Sequence, residues 1–222
     1  MDFDELAGIA EELHAAPTTE ATAEQIIKGL SEMLEMDQAG LTMIRGAGRL
    51  ETVAATDLVP HHADRLQTQL GEGPAFSDDW DQTLRLGDLA LERRWPRWTK
   101  GLAELGVASL LAVSLAPESK RIGVVTLYSA EPRRFDDDDA AFAHLFARHA
   151  AIALASSERE TNLKIALDAR KLIGQAQGIL MERFKIDDGE AFEVLKRYSQ
   201  NHNQKLRVIA EQLVRTRQLP FH

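Results

Sequence analysis

The sequence predicts an α+β domain, a long helix that follows it, and a small all-α module at the C-terminal end. Apolar, β-rich runs alternate with turn-forming residues over residues 20–155, and no glycine or proline interrupts residues 136–173. Farther on, apolar residues recur at the three- and four-residue spacing of amphipathic helices. We therefore expect an antiparallel sheet flanked by helices within residues 1–155, a long connecting helix over 136–166, and a three-helix bundle over 163–222.

Composition limits the classes of chemistry that the chain can perform. The 222 residues include no cysteine, which excludes disulfides, thiol catalysis and cysteine-ligated metals. The N-terminus is acidic and lacks the basic start and apolar core of a signal peptide. No apolar stretch reaches the length of a membrane span. These features predict a cytoplasmic protein without a membrane partner.

Charge is distributed unevenly along the chain. The formal net charge of −9 divides into −13 over residues 1–161 and +4 over residues 162–222. This asymmetry indicates two parts with different partners, although chance clustering of solvated charges explains it equally well.

The α+β domain begins with helices. Residues 2–16 resemble a short helix that Pro17 ends. Thr18 or Thr19 can cap the next helix, which we expect from Glu20 to about Glu35 because its apolar residues recur at helical spacing.

Strands dominate the next part of the domain. Two pairs of β-rich runs are each joined by a short turn, so each pair is expected to form a hairpin. The predicted elements are strands at 39–44 and 50–55, a helix at 59–70, a loop at 71–74, a strand at 84–89, a helix at 98–105, and strands at 109–115 and 122–128.

The long helix is expected to begin at the four aspartates of residues 136–139, which complement the positive end of a helix dipole. Residues at helical spacing then follow, namely Phe142, Leu145, Phe146, His149 and Ile152. Residues 156–162 are polar. A helix that leaves its domain through polar residues commonly pairs with a second helix, so we expect a parallel coiled-coil homodimer.

The first helix of the C-terminal module has two contrasting faces. On a helical wheel, an apolar arc comprises Leu172, Ile173, Ala176, Ile179 and Leu180. The opposite face comprises Arg170, Lys171, Gly174, Gln175, Gln177, Gly178 and Met181. The two glycines leave a stripe of backbone bare. Close packing of another helix, close approach of a ligand such as a phosphate chain, and simple tolerance of glycine all remain open as interpretations.

Two further helices complete the predicted module. Asp187 and Glu190 have the spacing of a capping box, which predicts the start of the second helix. Asn203 is expected to cap the third helix, in which apolar residues recur from Leu206 to Leu213.

The residues of this module resemble the ANTAR family. The match covers about residues 163–219 and includes the stretches 166–170, 173–183, 190–192, 195–203 and 205–210. The resemblance implies a three-helix RNA-binding domain that recognises paired stem-loops in a nascent leader transcript and prevents transcription termination. It therefore implies RNA as the partner.

The RNA-binding residues expected from this resemblance lie on two helices. On the first helix they are Arg170, Lys171, Gly174, Gln175, Gln177 and Gly178. Lys205 and Arg207, at the start of the third helix, are expected to contact phosphates. Tyr198 and His202 are candidates for stacking on bases. Gln177 departs from the family, which usually has lysine at that position.

The upstream domain resembles the GAF domains that are fused to ANTAR in signalling regulators. The resemblance is carried by residues 69–74, 87–89, 94–96, 105–109 and 135–136. It implies a sensor domain that binds a small molecule or dimerises, and it does not identify a ligand. Ala75 occupies the place of the usual cysteine, which excludes thiol-based sensing there.

No catalytic or metal-binding constellation emerges from the sequence, so we do not expect an enzyme. His61 and His62 are adjacent and would diverge on a helix, with only Asp64 nearby. The Gly71–Pro74 loop lacks the lysine of a phosphate loop and is interpreted as a turn beside a pocket. The arginine- and tryptophan-rich stretch 93–98 is interpreted as tryptophans packed on the sheet.

The sequence thus favours a signal-responsive antiterminator that works as a dimer. Two alternatives remain open. One is a DNA-binding helix-turn-helix regulator that reads DNA with its third helix. The other is a protein-interaction module that binds no nucleic acid.

Overall fold

A computed structural model describes residue 13 and residues 16–77, 82–117 and 120–219. The helix expected over residues 2–16 lies outside these residues, apart from Leu13 and Ala16. The chain divides into two compact units, Met1–Arg159 and Glu160–His222. Each unit is described by itself.

The described residues form five strands and six helices. In chain order they are α1 (Thr19–Met33), β1 (Gln38–Ile44), β2 (Leu50–Ala55), α2 (Leu58–Leu70), β3 (Thr83–Leu86), α3 (Pro96–Glu104), β4 (Ser109–Leu115), β5 (Gly123–Ser129), α4 (Asp137–Phe184), α5 (Asp188–Asn201) and α6 (Leu206–Thr216). The connecting helix and the first helix of the C-terminal module are thus one continuous helix.

The five strands form one antiparallel sheet in the order β2-β1-β5-β4-β3. Leu41 of β1 lies opposite Val125 of β5, which in turn lies opposite Val113 of β4. The two predicted hairpins, β1–β2 and β4–β5, are confirmed. Strand β3 is shorter than the predicted strand at 84–89. The Asp88 side chain accepts a hydrogen bond from the Ala90 amide at 2.9 Å and starts a 3-10 turn instead.

Both faces of the sheet are covered, which explains why β4 and β5 are almost continuously apolar. One face packs against α1 and α4, with Ile26 and Phe146 among the buried side chains. The other face packs against α2 and α3, with Ala63 and Trp98 fully buried. The first unit therefore has three layers, with the sheet between two pairs of helices.

Side chains predicted to cap helices do so at two helix starts. Thr18 accepts a hydrogen bond from the Ala21 amide at 3.1 Å at the start of α1. Asp136 and Asp139 exchange hydrogen bonds between side chain and backbone at 3.0 and 2.8 Å where α4 begins. The aspartates at the start of α4 therefore have a structural role as caps.

The second unit is the predicted bundle of three short amphipathic helices. Its fully buried side chains are Ala176, Leu180, Ala191, Leu195, Ile209, Ala210 and Leu213. The Asp187–Glu190 capping box is present, with hydrogen bonds of 2.8 and 3.1 Å. The expected cap at Asn203 is wrong. Lys205 occupies the N-cap of α6, and Asn203 adopts a left-handed conformation (φ +49°) that asparagine tolerates better than most residues.

The buried face of α4 in the first unit differs from the apolar spacing seen in the sequence. Leu145 and Ile152 are 38% and 52% exposed. The buried positions are mainly alanines, together with Phe146 and Leu154. The side of α4 that faces the core thus carries mainly small side chains, and two of the larger residues face away from it.

Phe146→Ala should lower the free energy of unfolding of the first unit by about 3–5 kcal/mol, because it empties a buried aromatic site. Leu145→Ala, on the same helix but exposed, should cost less than about 1 kcal/mol. Urea titration monitored by circular dichroism measures both. Equal losses for the two variants would contradict this assignment of the buried face.

Candidate functional site

The exposed face of α4 in the second unit carries the two glycines singled out by the sequence. A Cβ placed on Gly174 or Gly178 would meet no heavy atom within 4 Å beyond the helix's own backbone. No described part of the chain therefore packs on this stripe. Close packing of another helix, one of the three interpretations left open, would therefore need a helix from another chain.

Cations and an amide border the glycine stripe. Arg170, Lys171 and Gln175 are exposed. Within the part of the chain that the structure describes, no side-chain hydrogen bond or ion pair engages any of the three. These groups are available to a ligand that approaches the bare backbone.

Gln177 points away from this face. Its amide nitrogen donates to the Asp188 carboxylate at 2.6 Å and to the Asp188 carbonyl oxygen at 3.1 Å. Gln177 therefore fastens α4 to the first turn of α5. At the position where this chain departs from the ANTAR pattern, the side chain thus forms hydrogen bonds within the module itself.

Lys205 and Arg207 are exposed at the N-terminal end of α6. Gln175 and Gly178 instead line a cleft with Val214 and Arg217 at the C-terminal end of α6. The two ends of this helix lie roughly 15 Å apart at 1.5 Å per residue. The structure thus brings the α4 candidates other than Gln177 together on one helix face and places Lys205 and Arg207 at the other end of α6.

Sequence reasoning missed two residues of this cleft, Arg183 and Arg217. Both are exposed, and they line the cleft together with Gln175, Gly178, Ile179 and Val214. The only signal in the sequence was the basic character of the last helix. Residues 34 positions apart in the sequence can be assigned to one cleft only once the packing of α4 and α6 is known.

Tyr198 and His202 lie with their ring centroids 5.9 Å apart. Tyr198 is partly buried against the core of the module, so only part of its ring is available for stacking on a base. Its packing role is therefore established by the structure, whereas stacking stays a prediction.

A second candidate site lies in the first unit, where polar groups are buried between α2 and the sheet. Asp64 of α2 is 5% exposed. Its carboxylate accepts hydrogen bonds from the Thr42 hydroxyl at 2.5 Å, the Thr52 hydroxyl at 2.6 Å and the Gln67 amide at 3.1 Å. This network joins α2 to strands β1 and β2.

Burial raises the pKa of the Asp64 carboxyl above its usual value, because desolvation penalises the charged form. The hydrogen bonds from Thr42, Thr52 and Gln67 and the charge of His61 oppose this effect without cancelling it. The network thus holds an acid that takes up a proton more readily than a solvated aspartate.

The Gly71–Pro74 loop lies against this network. The side-chain oxygen Oε1 of Gln67 accepts a hydrogen bond from the Ala75 backbone amide at 2.9 Å. Gly73 has a φ of +132°, and a Cβ there would lie 2.5 Å from the Gln67 side chain, so glycine is required. Glu72 accepts hydrogen bonds from the Arg97 and Trp98 amides at 3.0 and 3.3 Å, which holds the loop at the start of α3.

The tryptophans of the 93–98 stretch pack as the sequence predicts. Trp98 is completely buried and Trp95 is 6% exposed, and both belong to the core on the α2–α3 face of the sheet. The Arg94 guanidinium lies 4.6 Å from the centre of the Trp95 ring. The structural interpretation of this stretch is confirmed.

In the described ranges, no group of three or more His, Asp or Glu side chains is arranged to hold a metal ion. Nor does any described helix combine the length and apolarity needed to cross a bilayer.

Comparison with known families assigns both units. A model described as GAF domain matches residues 16–155, which is well over half of the chain. The chain belongs to the GAF domain family. A model described as ANTAR domain matches residues 161–214, which include the glycine stripe and all the cleft residues except Arg217. The chain is thus a regulator in which a GAF sensor domain precedes an ANTAR domain, and both are regulatory domains.

Solved structures confirm the fold of the GAF domain. A domain of a two-component sensor histidine kinase protein from Sinorhizobium meliloti 1021 aligns with a TM-score of 0.56 at 21% identity, covering 65% of this chain and 97% of that chain. The GAF domain of the cyanobacteriochrome TePixJ aligns with a TM-score of 0.53 at 16% identity, covering 66% and 94%.

The GAF domain of an Acinetobacter phosphoenolpyruvate-protein phosphotransferase aligns with a TM-score of 0.52 at 12% identity, covering 72% of this chain and 96% of that chain. At these identities the likeness concerns the fold alone. No curated protein matches the chain.

The raised pKa of Asp64 predicts a specific dependence of stability on pH. Because the native GAF domain binds this proton more tightly than the unfolded chain does, the contribution of Asp64 to stability should increase as the pH falls from neutral toward the ordinary pKa of a carboxyl. Urea unfolding of His61→Asn and of His61→Asn with Asp64→Asn, over a series from pH 7 down to pH 4, isolates this contribution. As the pH falls, the single variant that keeps Asp64 should gain unfolding free energy relative to the double variant. A difference between the two that does not depend on pH would refute the assignment.

Proposed function

We propose that this chain is a signal-responsive regulator that binds paired stem-loops in a nascent leader RNA and prevents transcription termination. The observation that carries the proposal is the exposed face of the ANTAR domain. Unpartnered cations flank glycines there that no part of the described chain covers.

The chemistry of this face suits RNA. Arg170 and Lys171 supply positive charge for phosphates, and their binding releases counterions. Gly174 and Gly178 allow a nucleic-acid backbone to come closer to the helix than side chains would permit. The Gln175 amide both donates and accepts hydrogen bonds, which suits the edge of an unpaired base. Phosphate contacts would give affinity, and base contacts would give sequence preference.

Lys205 and Arg207 extend the basic surface to the start of α6. No side chain caps this helix, so its first backbone amides add positive polarity beside the two cations. We assign to them contacts with the phosphates of the stem or loop. Gln177 contributes indirectly in this scheme, because its hydrogen bonds to Asp188 hold α5 against α4.

A second copy of the chain accounts for the exposed middle of α4. Every residue from 162 to 168 is exposed, including Leu163 (61%) and Leu167 (58%), which are one helical turn apart. Two helical turns without tertiary contacts are marginally stable alone. Pairing with the same segment of a second chain would bury both leucines. A dimer would also supply two ANTAR domains for two stem-loops.

The GAF domain would supply the signal. Helix α4 packs on its sheet and continues without a break into the ANTAR domain. Arg45, after β1, contacts Glu51 of β2 at 2.6 Å and also pairs with Glu158 of α4. A small molecule that shifted the β1–β2 hairpin would therefore act on α4 through this ion pair.

Arg170→Ala and Lys171→Ala should each weaken binding of a twin stem-loop RNA by about 10-fold at low salt, because each removes roughly one phosphate contact. The slope of log affinity against log salt should fall by about 1. Helical content should not change, since both side chains are exposed. Fluorescence anisotropy over a range of salt concentrations measures affinity and slope together.

Lys196→Ala is the matched control, because Lys196 is exposed on α5 and pairs with Glu193 at 3.0 Å. It should bind RNA as the unmodified chain does. Tighter binding of duplex DNA of equal length would instead support a DNA-binding regulator. Binding that does not depend on salt, or no binding at all, would support a protein-interaction module.

A further inference from the structure

A cleft lies between the end of α4 and the end of α6. Most of the residues that line it lie outside the glycine stripe. The cleft is open to solvent and has a volume of about 700 Å³. Ile179 and Val214, both partly buried, form its apolar floor. Gln175 of α4 and the arginines Arg183 and Arg217 supply its polar groups.

The polar groups of the cleft have few partners within the described chain. No side-chain hydrogen bond or ion pair there engages Gln175, Arg183 or Arg217. Glu182 also lines the cleft and lies beside Lys185, whose ammonium group is 2.7 Å from its carboxylate. The two guanidinium groups therefore leave the cleft with an excess of positive charge.

The backbone fixes where Arg217 stands. Arg217 ends α6 in a left-handed conformation (φ +59°), and its amide donates to the Leu213 carbonyl oxygen at 2.8 Å. A non-glycine residue in this conformation is uncommon. It ends the helix at this point, with Arg217 lining the cleft.

An unpaired nucleobase with its phosphate matches this combination. Its flat faces are apolar enough for a floor of isoleucine and valine, and guanidinium planes stack on bases and bind phosphates. The Gln175 amide offers a donor and an acceptor to the base edge. Gly178 is essential to the shape, because any side chain there would narrow the opening. An acidic protein side chain would use the arginines but not the apolar floor.

We infer that this cleft receives one unpaired base of the RNA loop, with Gln175 contacting the base edge and Arg183 and Arg217 contacting the base plane and its phosphate. This inference rests on the proposed RNA binding and adds the site at which the protein recognises the base sequence of the RNA. It separates two roles on the module. Arg170 and Lys171 give affinity, whereas the cleft gives base preference.

The test combines a protein change with an RNA change. Gly178→Leu fills the opening of the cleft and should not unfold the module, since a Cβ there meets nothing and leucine favours helix more than glycine does. The RNA partners are a twin stem-loop and variants in which each unpaired nucleotide in turn lacks its base but keeps its phosphate. Gln200→Leu, an exposed position on α5, is the control for adding a leucine to the module.

In the unmodified chain, one abasic position should weaken binding about 10-fold, because a stacked base is lost. The same abasic position should add little to the loss that Gly178→Leu causes by itself. Gln200→Leu should keep the full sensitivity of the unmodified chain. Circular dichroism of each variant establishes that the module is folded.

Two results would overturn the inference, and they are distinguishable. Salt-dependent RNA binding with no abasic position coupled to Gly178→Leu would contradict the cleft assignment and leave the proposed function intact. Absence of RNA binding by the unmodified chain at every salt concentration would contradict the proposed function and the cleft together.

Discussion

Both cores of the chain include small side chains of the same helix, α4. In the GAF domain, Ala143, Phe146, Ala147 and Ala150 are buried in the core on the α1–α4 face of the sheet. In the ANTAR domain, Ala176 is completely buried where α4 meets the other two helices. The same helix must therefore contribute to two cores, and residues 162–168 are all exposed in a single chain.

Gly174 and Gly178 lower the stability of α4, and no packing contact within the described chain compensates for this loss. Each destabilises a helix by roughly 1 kcal/mol relative to alanine, and neither is covered by any described part of the chain. A bare backbone beside Arg170 and Lys171 is therefore better explained by a ligand that approaches it than by stability. In the GAF domain, the Asp64 network is likewise costly to bury, yet it joins α2 to β1 and β2, and the Arg45 ion pairs join β2 to α4.

Periodicity and turn chemistry predicted most of the fold, because each hairpin and each amphipathic helix has a local pattern. The buried face of α4 could not be predicted in the same way. Apolarity favours Leu145 and Ile152 for the core, whereas close packing favours alanine. A helical wheel shows the direction of a side chain but not its hydrogen-bond partner. It therefore placed Gln177 on the exposed face, although the Gln177 amide donates to the Asp188 carboxylate. Arg217 lines the same cleft as Gln175 and Gly178 only because α6 packs against α4, which the sequence pattern does not show.

We propose that two chains act together on one paired RNA target. Light scattering of the full chain, alone and mixed with a twin stem-loop RNA, tests this through the molar mass. We expect a dimer at micromolar concentration and a complex of two chains with one RNA. A monomer that stays monomeric, or a complex of one chain with one twin stem-loop, would contradict it.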